Sequence, residues 1–255
     1  MGPLIRGPTL TSTSAVSLRS ITVGYREHVA LRDVSLDIGR GDFCGIIGPN
    51  GAGKTTLLTV VNGIGRVRAG TVNVLGELAT GASFTRLRRR IGYVAQQERV
   101  DPRAPITCLD AVLVGRCGRA GLLRRLTSAD RERALAMMEL THTAHLTERP
   151  VGRVSGGEAR KISLARALTQ EPEILLLDEP TSNLDPRAVR EFGDLVVDAF
   201  NRFRLTILMV THQLDHLPSA ANRIVTVKDG RVTYSGGRAA LDDPRLTAEL
   251  FADAA

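Results

Sequence analysis

At 255 residues, with 43% hydrophobic and 24% charged content, the chain fits a globular protein of one large or two small domains, and the composition excludes a collagen-like or disordered one. No run of about 20 apolar residues occurs, which excludes a membrane-spanning helix. The three cysteines, Cys44, Cys108 and Cys117, are odd in number and scattered, which argues against a disulfide framework or a cysteine zinc site and suits a reducing compartment. Net charge is +7, carried by arginine, because only Lys54, Lys161 and Lys228 are lysines. That balance suits either an acidic partner or an arginine-rich solvated surface. Aromatic residues, at 4%, are too few for a base-stacking platform.

Residues 1–14 are rich in Gly, Pro, Ser and Thr, lack a signal-peptide apolar region, and read as a flexible tail. Val16, Leu18, Ile21 and Val23 alternate as in a strand that ends at Tyr25. Tyr25 is either an ordinary strand-end aromatic or a face on which adenine stacks, and spacing does not decide between them. Leu31, Val34, Leu36 and Ile38 repeat the alternation, and Gly39 and Gly41 turn the chain into the apolar run Phe43-Cys44-Gly45-Ile46-Ile47. Next comes Gly48-Pro49-Asn50-Gly51-Ala52-Gly53-Lys54-Thr55, a G-x-x-x-x-G-K-[ST] loop, and then Thr56-Leu57-Leu58-Thr59-Val60-Val61, a helix stopped by Gly63. Strand, loop and helix in that order are the context the motif needs. Its glycines let backbone N–H groups point inward at a polyphosphate, and the helix N-terminus adds positive charge. Lys54 is expected to reach the β- and γ-phosphates, and the Thr55 hydroxyl to ligate Mg²⁺. Residues 71–75 form another strand, closed by Gly76.

A basic cluster at 86–90 leads into Ile91-Gly92-Tyr93-Val94-Ala95-Gln96, a short strand ending in glutamine. Two prolines at 102 and 105 keep the next segment extended or turned. From Thr107 the pattern is helical. Thr107 with Asp110, and Thr127 with Asp130, are candidate N-caps, and Gly115, Gly118 and Gly121 are expected to break the first helix. No convincing strand falls within about 105–169, which reads as a helical insertion. His142 and His145, three apart on a predicted helix, share a face, but two ligands without further Cys or His make a poor metal site.

Ser155-Gly156-Gly157-Glu158 opens a helix and is a second candidate anion site. Ile174-Leu175-Leu176-Leu177-Asp178-Glu179-Pro180 reads as a buried parallel strand ending in two carboxylates, at the crevice end of an open α/β sheet. Asp178 is then the Mg²⁺ partner and Glu179 is placed to polarise water. Asp185 caps a helix with Pro186 at its first position. Residues 205–210 form the next buried strand, and His212 follows it at the same sheet end as Asp178. A hairpin at 223–235 and a helix near 246–251 complete the chain.

This ordered set resembles the ATP-binding cassette (ABC) family over about 16–237. The phosphate loop is similar to its Walker A motif, and Gln96 falls at its Q-loop. Val154-Ser155-Gly156-Gly157-Glu158 resembles the signature motif, with Val for Leu and Glu for Gln. Leu175 to Pro180 resembles Walker B, Ser182-Asn183-Leu184-Asp185 the D-loop and His212 the H-loop. Tyr25 matches the adenine-stacking aromatic. The resemblance implies an α/β P-loop NTPase: a RecA-like core with an antiparallel β subdomain and a helical subdomain, spanning 15–238 and followed by a helical extension at 239–255. It implies ATP and Mg²⁺ as cofactors. Nucleotide would be held by Tyr25, by Gly48 to Thr56, by Ser155, Gly156, Gly157 and Glu158, and by Asp185. Thr55, Gln96 and Asp178 would serve the metal, and Lys54, Gln96, Glu179 and His212 catalysis. It implies a second ATP-binding subunit, in a homodimer, because each ATP lies between one Walker A and the opposite signature motif. It further implies separate membrane permease subunits, an extracytoplasmic substrate-binding protein, a peripheral place on the cytoplasmic membrane face, and no nucleic acid. The stretch from Gln96 through Thr107 to Val114-Gly115-Arg116 is similar to ATPases of zinc and manganese importers, with Ala95 departing from their usual Pro. Iron-chelate and cobalamin importers share part of that pattern, so the resemblance leaves as alternatives an ABC ATPase for another cargo, by import or export, and a soluble ABC ATPase acting on nucleic acid or the ribosome.

Overall fold

The computed structural model describes residues 14–25, 28–96, 101, 103–121 and 125–242. The tail read at 1–14 (apart from Ser14) and the helix expected at 246–251 lie outside the described residues. So do residues 97–100 after Gln96, and Pro102.

Two sheets organise the chain. The first is antiparallel. The alternating apolar run folds as β1 (Ser14–Tyr25), which pairs with β2 (His28–Gly39) on one side and with β4 (Val67–Val74) on the other. A two-residue strand, β5 (Glu77–Leu78), extends it in the order β2-β1-β4-β5. Between β2 and β4 the chain makes β3 (Phe43–Ile47) and helix α1 (Lys54–Val61). A short helix, α2 (Gly81–Leu87), then leads to β6 (Ile91–Val94).

The second sheet has the order β10-β9-β3-β8-β7-β6. Its parallel core joins β3, β6, β7 (Ile174–Asp178) and β8 (Thr206–Thr211) to β9 (Arg223–Lys228), and β10 (Arg231–Gly237) turns back antiparallel on β9. The continuous apolar runs in β3, β7 and β8 follow from burial on both faces. Side chains alternate between two cores with period two. Cys44, Ile46, Ile174, Leu176, Leu208 and Val210 face α1 and the antiparallel sheet. Phe43, Ile47, Leu175, Leu177, Ile207 and Met209 face the remaining helices.

Those helices are α3 (Cys108–Ala120), α4 (Ser128–Leu140), α5 (Gly156–Thr169) and α6 (Pro186–Phe203), and both α3 and α4 pack on α5. Each of the first three starts with a reciprocal capping box: Thr107 with Asp110, Thr127 with Asp130, and Ser155 with Glu158. Within 105–169 the described residues hold no strand, only an isolated bridge between Thr107 and Pro150.

Two sequence expectations are corrected here. Gly115 and Gly118 do not break α3, which runs through both and stops at Gly121. A Cβ on Gly115 would lie 2.3 Å from the Arg166 carbonyl oxygen, so Gly115 marks the close approach of α3 to α5. His142 and His145 do not share a helix. His142 turns left-handed at φ +55° after α4, and His145 lies in the short 3-10 turn Ala144–Leu146.

Candidate nucleotide site

The phosphate loop runs from the end of β3 to the start of α1. Its shape depends on the β9–β10 turn. A Cβ on Gly48 would lie 2.0 Å from the Val227 carbonyl oxygen, so only glycine permits that approach. Gly53 holds φ +101° at the N-cap of α1 and also lies close against the Ala30 carbonyl oxygen, 2.6 Å from where a Cβ would be. The Gly230 amide donates to the Ala52 carbonyl at 3.0 Å, and the Gly230 carbonyl accepts from the Arg32 amide at 2.8 Å.

Lys54 is buried at the start of α1, and its Nζ donates to the carbonyls of Gly48 and Pro49, each at 2.8 Å. Burial holds its pKa below the usual lysine value, while the neighbouring Glu179 and Asp178 carboxylates pull the other way. Thr55 Oγ1 donates to Asp178 Oδ1 at 2.9 Å, and Tyr93 Oη donates to Asp178 Oδ2 at 3.1 Å. Burial raises the Asp178 pKa, and those two hydrogen bonds oppose the rise.

Glu179 sits just past β7 at φ +43°, an uncommon conformation for a residue with a side chain. Its amide is satisfied by the Val210 carbonyl at 3.1 Å. Its carboxylate is the meeting point of the site. Gln96 Nε2 donates to Oε2 at 2.9 Å, Lys54 Nζ lies 4.0 Å from Oε1, and His212 Nδ1 lies 3.4 Å from Oε2. The Thr211 hydroxyl closes the turn that carries His212, donating to the Gln213 carbonyl at 3.0 Å and accepting from its amide at 3.1 Å.

A cleft of about 430 Å³ opens beside these groups, lined by Tyr25, Ala30, Asn50, Gly51, Gly53, Lys54, Thr55, Thr56, Gln96 and Glu179. Gly48, Pro49 and Ala52 belong to the loop but do not line the cleft. Ser155, Gly156 and Asp185 are exposed and, like Gly157 and Glu158, stand apart from this cleft. Ser155 caps α5: its Oγ accepts from the Glu158 amide at 3.3 Å, and Glu158 Oε2 accepts from the Ser155 amide at 2.7 Å. That amide, foremost, lowers the Glu158 pKa. Asp185 Oδ1 accepts from the Arg187 and Ala188 amides, each at 3.0 Å, as the N-cap of α6. Gln96, read as a metal-site residue, is joined here to Glu179 and not to the Thr55–Asp178 pair.

Sequence reasoning missed Tyr93 and Arg160. The parallel register pairs Tyr93 with Leu176, two residues before Asp178, so strand register was the signal that could have found Tyr93. Arg160, on α5, donates through Nη1 to the Ala95 carbonyl at 2.8 Å and through Nη2 to the Gln96 carbonyl.

A parallel sheet, a glycine-shaped phosphate loop and a carboxylate pair at the strand ends define a P-loop nucleotide-binding cassette. Residues 31–182 match the family described as ABC transporter. The phosphonates import ATP-binding protein PhnC 1 of Rhodopseudomonas palustris (strain BisB18) is 36% identical over 240 residues, covering 90% of this chain and 87% of its own. The manganese transport system ATP-binding protein MntB of Bacillus subtilis (strain 168) is 34% identical over 247 residues, covering 91% of this chain and 96% of its own. The dimeric structure of MJ0796, a bacterial ABC transporter cassette, superposes with a TM-score of 0.76 at 28% identity, over 87% of this chain and 98% of that one. The chain belongs to the ABC transporter family. It is an ATP-binding, ATP-hydrolysing subunit.

Proposed function

We propose that this subunit hydrolyses ATP at an interface between two cassettes and thereby drives import through a separate membrane permease, with a divalent metal, manganese or zinc, as cargo. The observation that carries the catalytic part is the Glu179 carboxylate, which accepts from Gln96 and has Lys54 Nζ and His212 Nδ1 at 4.0 and 3.4 Å. Tyr25, 47% exposed at the cleft mouth, offers adenine a stacking face. Lys54 Nζ exchanges the Gly48 and Pro49 carbonyls for β- and γ-phosphate oxygens. Glu179 accepts a hydrogen bond from the attacking water and orients it. His212 contacts the γ-phosphate, and Gln96 holds Glu179 and the water in register. The Thr55 and Asp178 oxygens, 2.9 Å apart beside the phosphate loop, are hard donors that fit Mg²⁺. When bound there, Mg²⁺ neutralises charge on the β- and γ-phosphate oxygens.

The Ser155-Gly156-Gly157 turn, exposed at Ser155 and Gly156 and apart from this chain's own cleft, is suited to the γ-phosphate held by a partner cassette. Asp185 lies on the same kind of exposed helix start and would link the two sites. The likeness to the dimeric MJ0796 cassette supports this arrangement. Permease subunits and an extracytoplasmic substrate-binding protein complete the importer, and the chain sits peripherally on the cytoplasmic membrane face. The metal cargo is supported by the likeness to MntB across nearly the whole chain. A second reading, phosphonate import, is favoured by the 36% identity to PhnC 1.

Cells lacking the protein, complemented with wild type or with Glu179→Gln, separate the two. A fall in cellular manganese or zinc, restored by wild type alone, supports the metal reading. Unchanged metals with failed growth on a phosphonate as sole phosphorus source move the cargo to phosphonates.

A further inference from the structure

The carbonyls of Ala95 and Gln96 lie past Val94, the last paired residue of β6. Their donor comes from a different part of the molecule. Arg160 on α5 spans both with one guanidinium, Nη1 at 2.8 Å from Ala95 O and Nη2 on Gln96 O. A planar, permanently charged fork on two consecutive carbonyls fixes direction as well as distance. Those carbonyls belong to the segment that delivers the Gln96 side chain, whose Nε2 donates to Glu179 Oε2 at 2.9 Å. Arg160 is itself held, since α5 is buried through Ile162, Leu164, Ala165 and Leu168 and packed by α3 and α4.

We propose that Arg160 is a positioning residue for hydrolysis. It anchors the Gln96 backbone to α5 so that the Gln96 amide stays on the Glu179 carboxylate. Ser155, at the head of α5, stands five residues from Arg160, about 7–8 Å along the axis at 1.5 Å per residue. The helix that presents Ser155 and Gly157 to the other cassette therefore also sets the aim of this chain's own Glu179. An event at one nucleotide is felt at the other through a single rigid element, with Arg160 as the last link. The inference rests on the roles proposed above for Gln96, Glu179 and the Ser155 turn.

The test is steady-state ATP hydrolysis by the full chain as wild type, Arg160→Ala, Gln96→Ala and the double variant. Arg160 does not line the nucleotide cleft and acts on the Ala95 and Gln96 backbone, so Arg160→Ala is expected to lower kcat about tenfold and leave KM within about twofold. Because it acts through Gln96, the double variant is expected to be no slower than Gln96→Ala alone, a non-additivity that a general loss of stability does not produce. Wild-type kcat in Arg160→Ala overturns the inference, and so do losses that multiply in the double variant. If Arg160→Ala does not fold, Arg160→Lys carries the same test. It keeps the charge but not the fork, so a loss of about threefold is expected and none overturns the inference. If Gln96→Ala and Glu179→Gln both hydrolyse ATP at the wild-type rate, the site reading fails and takes this inference with it. If both are impaired and Arg160→Ala is not, only the Arg160 inference fails.

Discussion

Tyr93 and Asp178 lie on neighbouring parallel strands, and the phenol donates to the carboxylate at 3.1 Å on the oxygen opposite the one that accepts from Thr55. Asp178 is therefore buried with both oxygens occupied, and each bond favours its ionised form against desolvation. Tyr93→Phe removes one bond without changing shape. The Asp178 pKa, already raised by burial, is expected to rise further. The acid limb of the kcat/KM profile should then move to higher pH, and stability should fall by about 1 kcal/mol, because the buried Asp178 Oδ2 loses its donor. A pH–rate profile and urea unfolding check both. An unmoved acid limb would falsify the assignment.

Glu179→Gln is expected to bind ATP, to lose hydrolysis, and to accumulate as an ATP-bound dimer, because the amide cannot accept from the attacking water as the carboxylate does. Light scattering at saturating Mg-ATP should show doubled mass, and a monomer there contradicts the reading.

Lys54→Ala should weaken ATP binding at least tenfold, as expected for loss of a charge-assisted contact to phosphate. The unliganded protein should lose stability as well. Lys54 Nζ donates to the Gly48 and Pro49 carbonyls and lies 4.0 Å from the Glu179 carboxylate, so the variant leaves those groups without their cation. Calorimetry with ATP and thermal unfolding without it separate the two effects.

Asp130 contributes in the ordinary sense for a carboxylate. The Thr127 amide, with Arg116 and the Thr127 hydroxyl, lowers its pKa from 3.8 to about 2. Its stabilisation is present above the unfolded pKa and is lost as pH falls toward the folded one. Asp130→Asn should therefore be less stable than wild type at pH 6, with the gap closing below pH of about 4. Chemical denaturation across that range measures it, and a gap that widens toward acid goes against the account.

Gly115→Ala weighs two effects. Helix propensity gains about 1 kcal/mol, but the added methyl meets the Arg166 carbonyl oxygen at 2.3 Å and forces α3 off α5, costing about 1–3 kcal/mol or more. Net destabilisation is expected in urea unfolding, and a stabilised variant shows that the helices part freely.

The contrast between Gly115 and Gly48 explains what the sequence made legible. Gly48 belongs to a motif whose spacing encodes a local backbone shape, so its role could be read without neighbours. The same holds for Lys54, Thr55 and the capping boxes at Thr107, Thr127 and Ser155. Gly115 looked like a helix breaker because propensity counts only the local chain, whereas its reason lies on another helix. Tyr93 and Arg160 were missed for the same cause. Each acts across an interval of more than 60 residues, and periodicity carries no record of which strand or helix lies opposite. The position of Glu179 was readable from the end of an apolar strand, but its three partners come from separate elements and met only in the fold.

The loop that receives the phosphates is written early in the chain, yet its walls arrive late. β3 has β8 and β9 as its neighbours, and the turn at Gly230 closes on Ala52. A nascent chain that has emerged only as far as β7 carries the whole phosphate-binding motif without the strands that give it shape. Competence to hold nucleotide is thus gained when residues 206–230 dock. A fragment ending at residue 182, although it spans the full family match, would possess the motif and every residue that lines the cleft but not the strands and turn that fix the loop's shape.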